Sequence, residues 1–329
     1  MAEMTYREAL NKAIAEEMER DDQVFIMGEE VAKYHGAYKV TQGLLERFGD
    51  LRVVDSPITE AGFVGLGIGA AHVGMRPIIE VMTFNFAILA LDQIVNNAAK
   101  LRSMSGGQFS VPIVIRGPGG AGGALGCQHS QSLEQQYVHI PGIKVVLPST
   151  PNRAYQLLKQ AVRDPDPVIF IEGEKLYNVR GEVTEDPEDL WPIGKADVVK
   201  EGDDVTIVTW SRQLTSTVLP AVETLEAEEG ISCEVVDLLS LSPLDFDTVI
   251  ESVKKTNRCV IVDEAWPKAS AAAWVAAEVY ARAFDHLDAP IGRVHQQDVP
   301  LPYAFNLEER SLPRQIDVVD AVKKACYAD

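Results

Sequence analysis

The stretch Arg52-Val-Val-Asp-Ser-Pro-Ile-Thr-Glu-Ala-Gly-Phe-Val-Gly-Leu-Gly-Ile-Gly-Ala-Ala-His-Val-Gly-Met-Arg-Pro-Ile-Ile-Glu-Val-Met82 decides the fold. It opens on a short β-branched run at 52–54 and turns at Pro57. Helical spacing then runs over 60–74, with Thr59 placed as the helix cap, and a second apolar run follows at 77–82. A strand, a helix and a strand in so short a span is a crossover unit, which joins parallel strands and covers one face of their sheet. Outward from it the same alternation continues. Apolar runs at 24–27, 111–115, 143–147 and 168–171 read as strands, and 42–48, 86–103, 131–138 and 151–163 read as helices. Thr5-Tyr-Arg-Glu8 has the capping-box form ahead of Ala9, Leu10, Ala13 and Ile14, so a helix starts there. The expected architecture is α/β, with a mainly parallel sheet carrying helices on both faces.

Composition changes after residue 172. The segment 173–196 holds Asp186-Pro187 and Trp191-Pro192 and shows no period, so it reads as a linker. A second alternation follows, with strands at 205–210, 233–236, 259–262 and 292–294 and helices at 212–228, 245–254, 269–284 and 315–326. The expectation is two α/β domains, 1–190 with its linker and 191–329.

Lys and Arg total 30 against 49 Asp and Glu, a net charge of −19. Nucleic-acid binding needs a basic footprint and this chain lacks one. An anionic membrane surface is disfavoured for the same reason, whereas a basic protein partner would be steered toward it. Cys127, Cys233, Cys259 and Cys326 form no CxxC pair, which excludes a zinc ribbon or thioredoxin motif. The acidic, amphipathic first residues have the character of neither a signal nor a transit peptide. The longest apolar stretches are interrupted by charge, so no membrane span is expected.

Gly65-Leu-Gly67-Ile-Gly69-Ala70 matches the GxGxxA form of a dinucleotide fingerprint, which would make the chain a nicotinamide dehydrogenase. That fingerprint needs a strand immediately before its first glycine, and Pro57 to Phe63 stand there instead. The glycines therefore fall inside a helix, where each costs about 1 kcal/mol relative to Ala. Tight packing of another helix or backbone, within the chain or across a subunit contact, would explain them. Glu60 begins that helix. An acid in a first turn is favoured by the macrodipole. A carboxylate at the carboxyl end of a parallel strand is also where open α/β sheets place ligands.

Gly117-Pro-Gly-Gly-Ala-Gly-Gly-Ala-Leu-Gly126 is no Walker loop, because the Gly-Lys-Ser/Thr ending is missing. It leads to His129, and a histidine at the end of a glycine-rich loop after a sheet strand suits acid–base work. Met82-Thr-Phe84-Asn-Phe86 ends a strand and opens a helix. Its apolar side chains belong either to the core or to the wall of a flat heterocycle. Asp164-Pro-Asp166-Pro is a turn by composition, and turn carbonyls with a carboxylate can hold a monovalent cation.

In combination these segments resemble the beta subunit of the thiamine-diphosphate-dependent first component of 2-oxoacid dehydrogenase complexes. The likeness spans the whole chain. It rests on Ile26-Met-Gly-Glu29-Glu-Val, Asp55-Ser-Pro-Ile-Thr-Glu60-Ala-Gly, Arg76-Pro-Ile-Ile-Glu80, Phe84-Asn-Phe86, Asp92-Gln-Ile-Val-Asn, Gln128-His129-Ser-Gln131, Pro141-Gly-Ile-Lys-Val-Val and Asp298-Val-Pro-Leu-Pro-Tyr303. Met82-Thr-Phe-Asn-Phe86 and Met104-Ser-Gly-Gly107 look like the pyruvate branch rather than the branched-chain one.

The resemblance implies a transketolase-like pyrimidine-binding domain followed by a transketolase C-terminal domain. It implies that Glu60 hydrogen-bonds the pyrimidine nitrogen of thiamine diphosphate. A carboxyl group there shares a proton with the ring and favours the imino tautomer of the exocyclic amine, the form able to accept the thiazolium proton. Met82 and Phe86 would line the aminopyrimidine, Glu29 would join a proton path between active sites, and His129 would donate a proton as the two-carbon unit passes to a lipoyl group. Ile113, Ala161, Val162, Asp164 and Asp166 match a potassium site built largely from carbonyls. The diphosphate and Mg²⁺ motif, Gly-Asp-Gly followed by Asn, is absent; Gly202-Asp-Asp204 is the near match. An alpha subunit would then supply that half, in an assembly of two alpha and two beta chains. The acidic surface suits the basic peripheral-subunit-binding domain of the dihydrolipoyl acetyltransferase. The family's compartment is the cytoplasm in bacteria, and the mitochondrial matrix or plastid where an organelle protein has been processed.

Overall fold

The computed structural model describes residues 1–328. Two compact units make up the chain. One contains Met1–Gly119 and Gln136–Ile193; the other contains Gly120–Gln135 and everything from Gly194 onward. The main division falls between Ile193 and Gly194. The assignment of 120–135 to the second unit has no counterpart in the sequence reading.

The first unit carries β1 (Ala2–Thr5), β2 (Val24–Gly28), β3 (Val53–Asp55), β4 (Arg76–Glu80), β5 (Val114–Gly119), β6 (Lys144–Val146), β7 (Val168–Gly173) and β8 (Arg180–Val183). β6, β7, β5, β4, β2 and β3 lie side by side in that order, and every pairing among them is parallel. β5 and β7 are buried along their whole length, as a sheet covered on both faces requires. Thr5 caps the Tyr6–Arg20 helix through the full capping box, with Glu8 Oε2 accepting the Thr5 amide at 2.7 Å. That helix packs against Pro151–Arg163.

One feature of this order positions a site. The chain leaves β2 toward β3 on one side, then crosses to β4 on the other side of β2. Loops from the adjacent β2 and β4 therefore depart in opposite directions. A crevice opens at their carboxyl ends, where doubly wound sheets bind ligands.

Several elements differ from expectation. β5 begins at Val114, beyond Pro112, which has no N–H to give a ladder, and runs through Gly119. The first residues of the glycine-rich segment are therefore strand. A Cβ on Gly117 would lie 2.3 Å from the Val81 carbonyl oxygen, so the neighbouring chain passes too close for any other residue. The single helix expected over 86–103 is instead Phe84–Ala87, a tight turn at Ile88–Ala90, a wide turn at Gln93–Ala98, and Leu101–Met104. The segment read as a linker contains β8, which pairs antiparallel with β1.

The second unit carries β9 (Asp197–Lys200), β10 (Val205–Thr209), β11 (Cys233–Asp237), β12 (Ser240–Ser242), β13 (Cys259–Val262) and β14 (Gly292–Val294). Its sheet runs β14-β13-β10-β11-β9, parallel except for β9. Val205, Ile207, Val218, Val235, Val260 and Val318 are part of its core.

Candidate active site

Three strand ends of the first unit meet at the crevice. Glu29 follows β2 directly, Glu60 is the first residue of the Glu60–His72 helix after β3, and Met82 lies just beyond β4. Asp55, at the end of β3, accepts the amides of Ala32 at 2.7 Å and Lys33 at 3.2 Å, and so fixes the loop that carries Glu29. Glu29 Oε2 accepts the Met82 backbone N–H at 3.3 Å. Its Oε1 is buried and has no hydrogen-bond partner. Burial pushes the Glu29 carboxyl above the usual carboxylate range, the charge of Glu60 adds to this, and the Met82 amide pulls the other way.

Glu60 is only 6% exposed. Among the described residues it has no hydrogen-bond or ion-pair partner. Thr59 occupies the cap position ahead of it, but its side chain makes no capping bond. A near-buried carboxyl group without a protein partner is unfavourable unless something else satisfies it. The pair Glu29–Glu60 therefore offers one orphaned buried oxygen and one unpartnered carboxyl group, a donor set suited to a protonatable heterocycle nitrogen. Of the aromatic pair that follows, Phe84 is core and packs edge-on to Tyr137 with centroids 5.8 Å apart. Met82 and Phe86 stay half-buried at the strand end, where an apolar wall would stand.

A buried ionic cluster, unforeseen in the sequence, supports this crevice. Arg116 in β5 is 1% exposed and donates to Glu80 Oε2 and to both oxygens of Glu172. The Tyr177 hydroxyl donates to Glu172 Oε2 at 2.6 Å. Burial raises the Glu80 carboxyl, Arg116 opposes the shift, and the charges of Glu172 and Glu29 reinforce it. The available signal was Arg116 closing the apolar run 111–115, since a charge in a fully buried strand needs partners.

The glycines at 65, 67 and 69 separate into different roles. A Cβ on Gly67 would come within 2.7 Å of Ile79, so this glycine lets the helix lie close on its own sheet. A Cβ on Gly65 would just touch Gln93, and one on Gly69 would meet nothing. The helix lies between Thr59 and Val73, with no strand abutting Gly65, so the phosphate-turn geometry of a dinucleotide fingerprint is not formed.

The carbonyls of the expected cation site already have partners. Val168 N–H donates to Ile113 at 2.9 Å, Asp164 N–H to Ala161 at 3.2 Å, and Arg76 Nη1 to Val162 at 3.0 Å. Each keeps a second lone pair, so the carbonyl set still fits a weakly bound monovalent ion. The carboxylates are committed elsewhere: Lys144 binds Asp164 at 2.6 Å and Arg102 binds Asp166 at 2.5 Å.

In the second unit His129 is exposed, and its amide donates to Gly126 at 3.2 Å. The helix expected from residue 131 starts only at Gln135. Gly202-Asp-Asp204 is a tight strand entry. A Cβ on Gly202 would lie 2.1 Å from Cys233 backbone, and Asp204 Oδ2 accepts the Ser232 amide at 2.8 Å.

Residues 2–180 match the family described as "Transketolase, pyrimidine binding domain", and 194–318 match "Transketolase, C-terminal domain". The chain is 55% identical to the pyruvate dehydrogenase E1 component subunit beta of Rickettsia bellii over 325 residues, covering 99% of each. The chain belongs to the family of pyruvate dehydrogenase E1 component beta subunits. The mitochondrial beta-1 subunit of Arabidopsis thaliana is 52% identical over 328 residues, covering 99% of this chain and 90% of its own length. A split-gene transketolase solved as an inactive beta4 tetramer superposes with a TM-score of 0.79 at 27% identity, covering 98% of both chains. Both units thus take the transketolase-like α/β fold that the sequence resemblance implied. The 52–55% relatives favour the pyruvate branch over a branched-chain subunit. No helix among the described residues is long and apolar enough to cross a membrane.

Proposed function

We propose that this E1 beta chain holds the aminopyrimidine half of thiamine diphosphate for the decarboxylation of pyruvate and acetyl transfer to a lipoyl group. The observation that carries this is Glu60, nearly buried and unpartnered beside the raised carboxyl of Glu29 at the switch of the parallel sheet. When bound, the cofactor supplies an electron sink for the carbon that loses carbon dioxide. Glu60 holds a proton at the pyrimidine nitrogen, and desolvation in the crevice strengthens that contact. Glu29 stands next in line and passes protons between Glu60 and the interior. Met82 and Phe86 exclude water and orient the ring. His129 donates a proton to the lipoyl sulfur released as the disulfide is reduced and its other sulfur takes the two-carbon unit, which is thereby oxidised to acetyl.

An alpha subunit provides the diphosphate and Mg²⁺ sites, in an assembly of two alpha and two beta chains. The net charge of −19 favours docking of the basic peripheral-subunit-binding domain of a dihydrolipoyl acetyltransferase. The carbonyls of Ile113, Ala161 and Val162 would hold a potassium ion, which would steady the helix end. The compartment is that of the complex, bacterial cytoplasm or the matrix or stroma of an organelle.

Turnover and cofactor binding, measured by calorimetry on this chain alone and on the chain co-expressed with its alpha partner, test the proposal. Tight thiamine diphosphate binding and pyruvate turnover are expected only for the pair. Robust turnover by the chain alone would overturn the division of the site.

A further inference from the structure

The glycine-rich segment Gly120–Gln135 is gripped by two buried carboxylates of its own unit. Glu264, 7% exposed, accepts the Ala121 N–H on Oε1 at 2.5 Å. Its Oε2 accepts from Gln213 Nε2 at 3.0 Å and from Arg212 Nε. Glu308, 2% exposed, accepts the Ala124 N–H on both oxygens, at 3.0 and 3.1 Å. Ala121 also packs with Leu301 and Leu312 in a small apolar cluster. The segment closes on itself where Gly120 N–H donates to the Gln131 carbonyl at 3.1 Å, so its two ends are tied.

Glycine is required at both approaches. Gly120 has φ +85°, and a Cβ there would lie 2.7 Å from Glu264 Oε1. Gly126 has φ +83°, and a Cβ there would lie 3.2 Å from the Tyr303 ring. A flexible run of this composition would ordinarily sample many conformations. Here the charge-assisted bonds at Ala121 and Ala124 select one of them. Between the second grip at Ala124 and the tie at Gln131 lies His129.

We propose that Glu264, held by Arg212 and Gln213, is a positioning residue for His129, acting through the amide of Ala121 and assisted by Glu308 at Ala124. Glu264 touches neither substrate nor cofactor in this role. It fixes the loop on which the imidazole stands during transfer of the acetyl group to the lipoyl sulfur. The proposal rests on the role assigned to His129 above.

The test uses the assembled enzyme with its alpha chain and compares Glu264→Ala, Gly120→Ala and His129→Ala. Gly120→Ala leaves every charge paired and only pushes the segment off Glu264, so it remains informative if Glu264→Ala fails to fold. Two rates are read: pyruvate oxidation with an artificial acceptor dye, and acetylation of a free lipoyl domain. Hydrogen exchange of 120–135 is followed in parallel. All three variants should lower the ratio of lipoyl to dye rates, by about 10² where the imidazole is misplaced by an ångström. The first two should also accelerate exchange across 120–135. If His129→Ala lowers the ratio and the loop variants do not, the positioning role is overturned while the histidine assignment stands. If His129→Ala leaves the ratio unchanged, both fall.

Discussion

Met82 gives its backbone N–H to Glu29 Oε2 at 3.3 Å, linking the residues that follow β2 and β4 across the point where the sheet reverses its order. The bond satisfies one oxygen of Glu29 and leaves the other buried without a partner. With Glu60 adjacent, two acids share a space that has too few donors for both. Burial, with the charge of Glu60 added to it, raises the proton affinity of Glu29.

Replacing Glu60 by Gln keeps the shape of the side chain and removes its ability to exchange a proton. The tetramer should assemble normally. Thiamine-dependent decarboxylation should fall by about 10²–10⁴-fold, the usual contribution of general acid–base help. Steady-state pyruvate oxidation by the reconstituted enzyme checks this, and turnover equal to the parent would remove Glu60 from the mechanism.

Glu29 makes a prediction of opposite sign for stability. Its folded carboxyl holds its proton to a higher pH than the unfolded one, chiefly through burial and then through the charge of Glu60. The stability tied to this group is therefore complete below the ordinary Glu value and declines as pH rises through the folded one. Glu29→Gln abolishes that titration. The variant should gain thermal stability relative to the parent at pH 8 and much less at pH 5, while losing activity. Melting curves at the two pH values decide it; an equal shift at both would show that Glu29 is not strained.

Most strands of the two sheets, though not β9 or β12, were legible because they are buried on both faces and so appear as apolar runs, such as Cys259–Val262 and 168–171. β1 and β8 were not. They pair with each other across the length of the first unit, with half-exposed polar residues that leave no local pattern. Apart from the family resemblance, Glu60 was legible only as an acid opening a helix, a position the macrodipole explains by itself. What separates the two explanations is its burial without a partner, a property of tertiary packing. The grip on 120–135 was illegible for the same reason: Ala121 and Glu264 are far apart in sequence, and neither residue is unusual alone.

Arg116 should be intolerant of change. Replacing it by Met leaves Glu80 and Glu172 facing each other in the interior with no cation between them. Breaking a buried ion pair in this way costs about 3–5 kcal/mol, because the surviving charge is uncompensated. Denaturant unfolding should show a loss of that size, partly recovered when Glu80 and Glu172 are changed to Gln in the same chain. A loss under about 1 kcal/mol, the range of exposed pairs, would mean that the cluster is screened by water.

In the second unit, Glu134 is pushed up to about 8 by burial, with the charges of Asp263 and Glu264 adding to it. Asp263 rises to about 6, again mainly by burial. Both acids hold protons in the fold that the unfolded chain has already released, so stability is full at low pH and falls as pH climbs from about 4 through 8. Arg212 pairs with Glu264. Glu134→Gln should flatten the upper part of this decline, visible as a smaller drop in melting temperature between pH 6 and pH 9. An unchanged slope would place the titration elsewhere.

The paired glycines of the Glu60–His72 helix give a last comparison. Alanine favours a helix over glycine by about 1 kcal/mol when nothing obstructs it. At position 69 a new Cβ meets nothing within this chain, so Gly69→Ala should stabilise the isolated subunit by about that amount. At position 67 the same Cβ would press to 2.7 Å from Ile79 and 3.1 Å from Ile113. Overpacking of this kind costs about 1–3 kcal/mol, enough to cancel or reverse the helical gain. If a neighbouring subunit packs on the outer face, Gly69→Ala should also weaken assembly with the alpha chain while the free chain grows more stable. Unfolding of the isolated subunit and sedimentation of the reconstituted enzyme separate the two effects. A stabilised subunit that assembles with undiminished affinity would show that the outer glycine faces solvent in the complex.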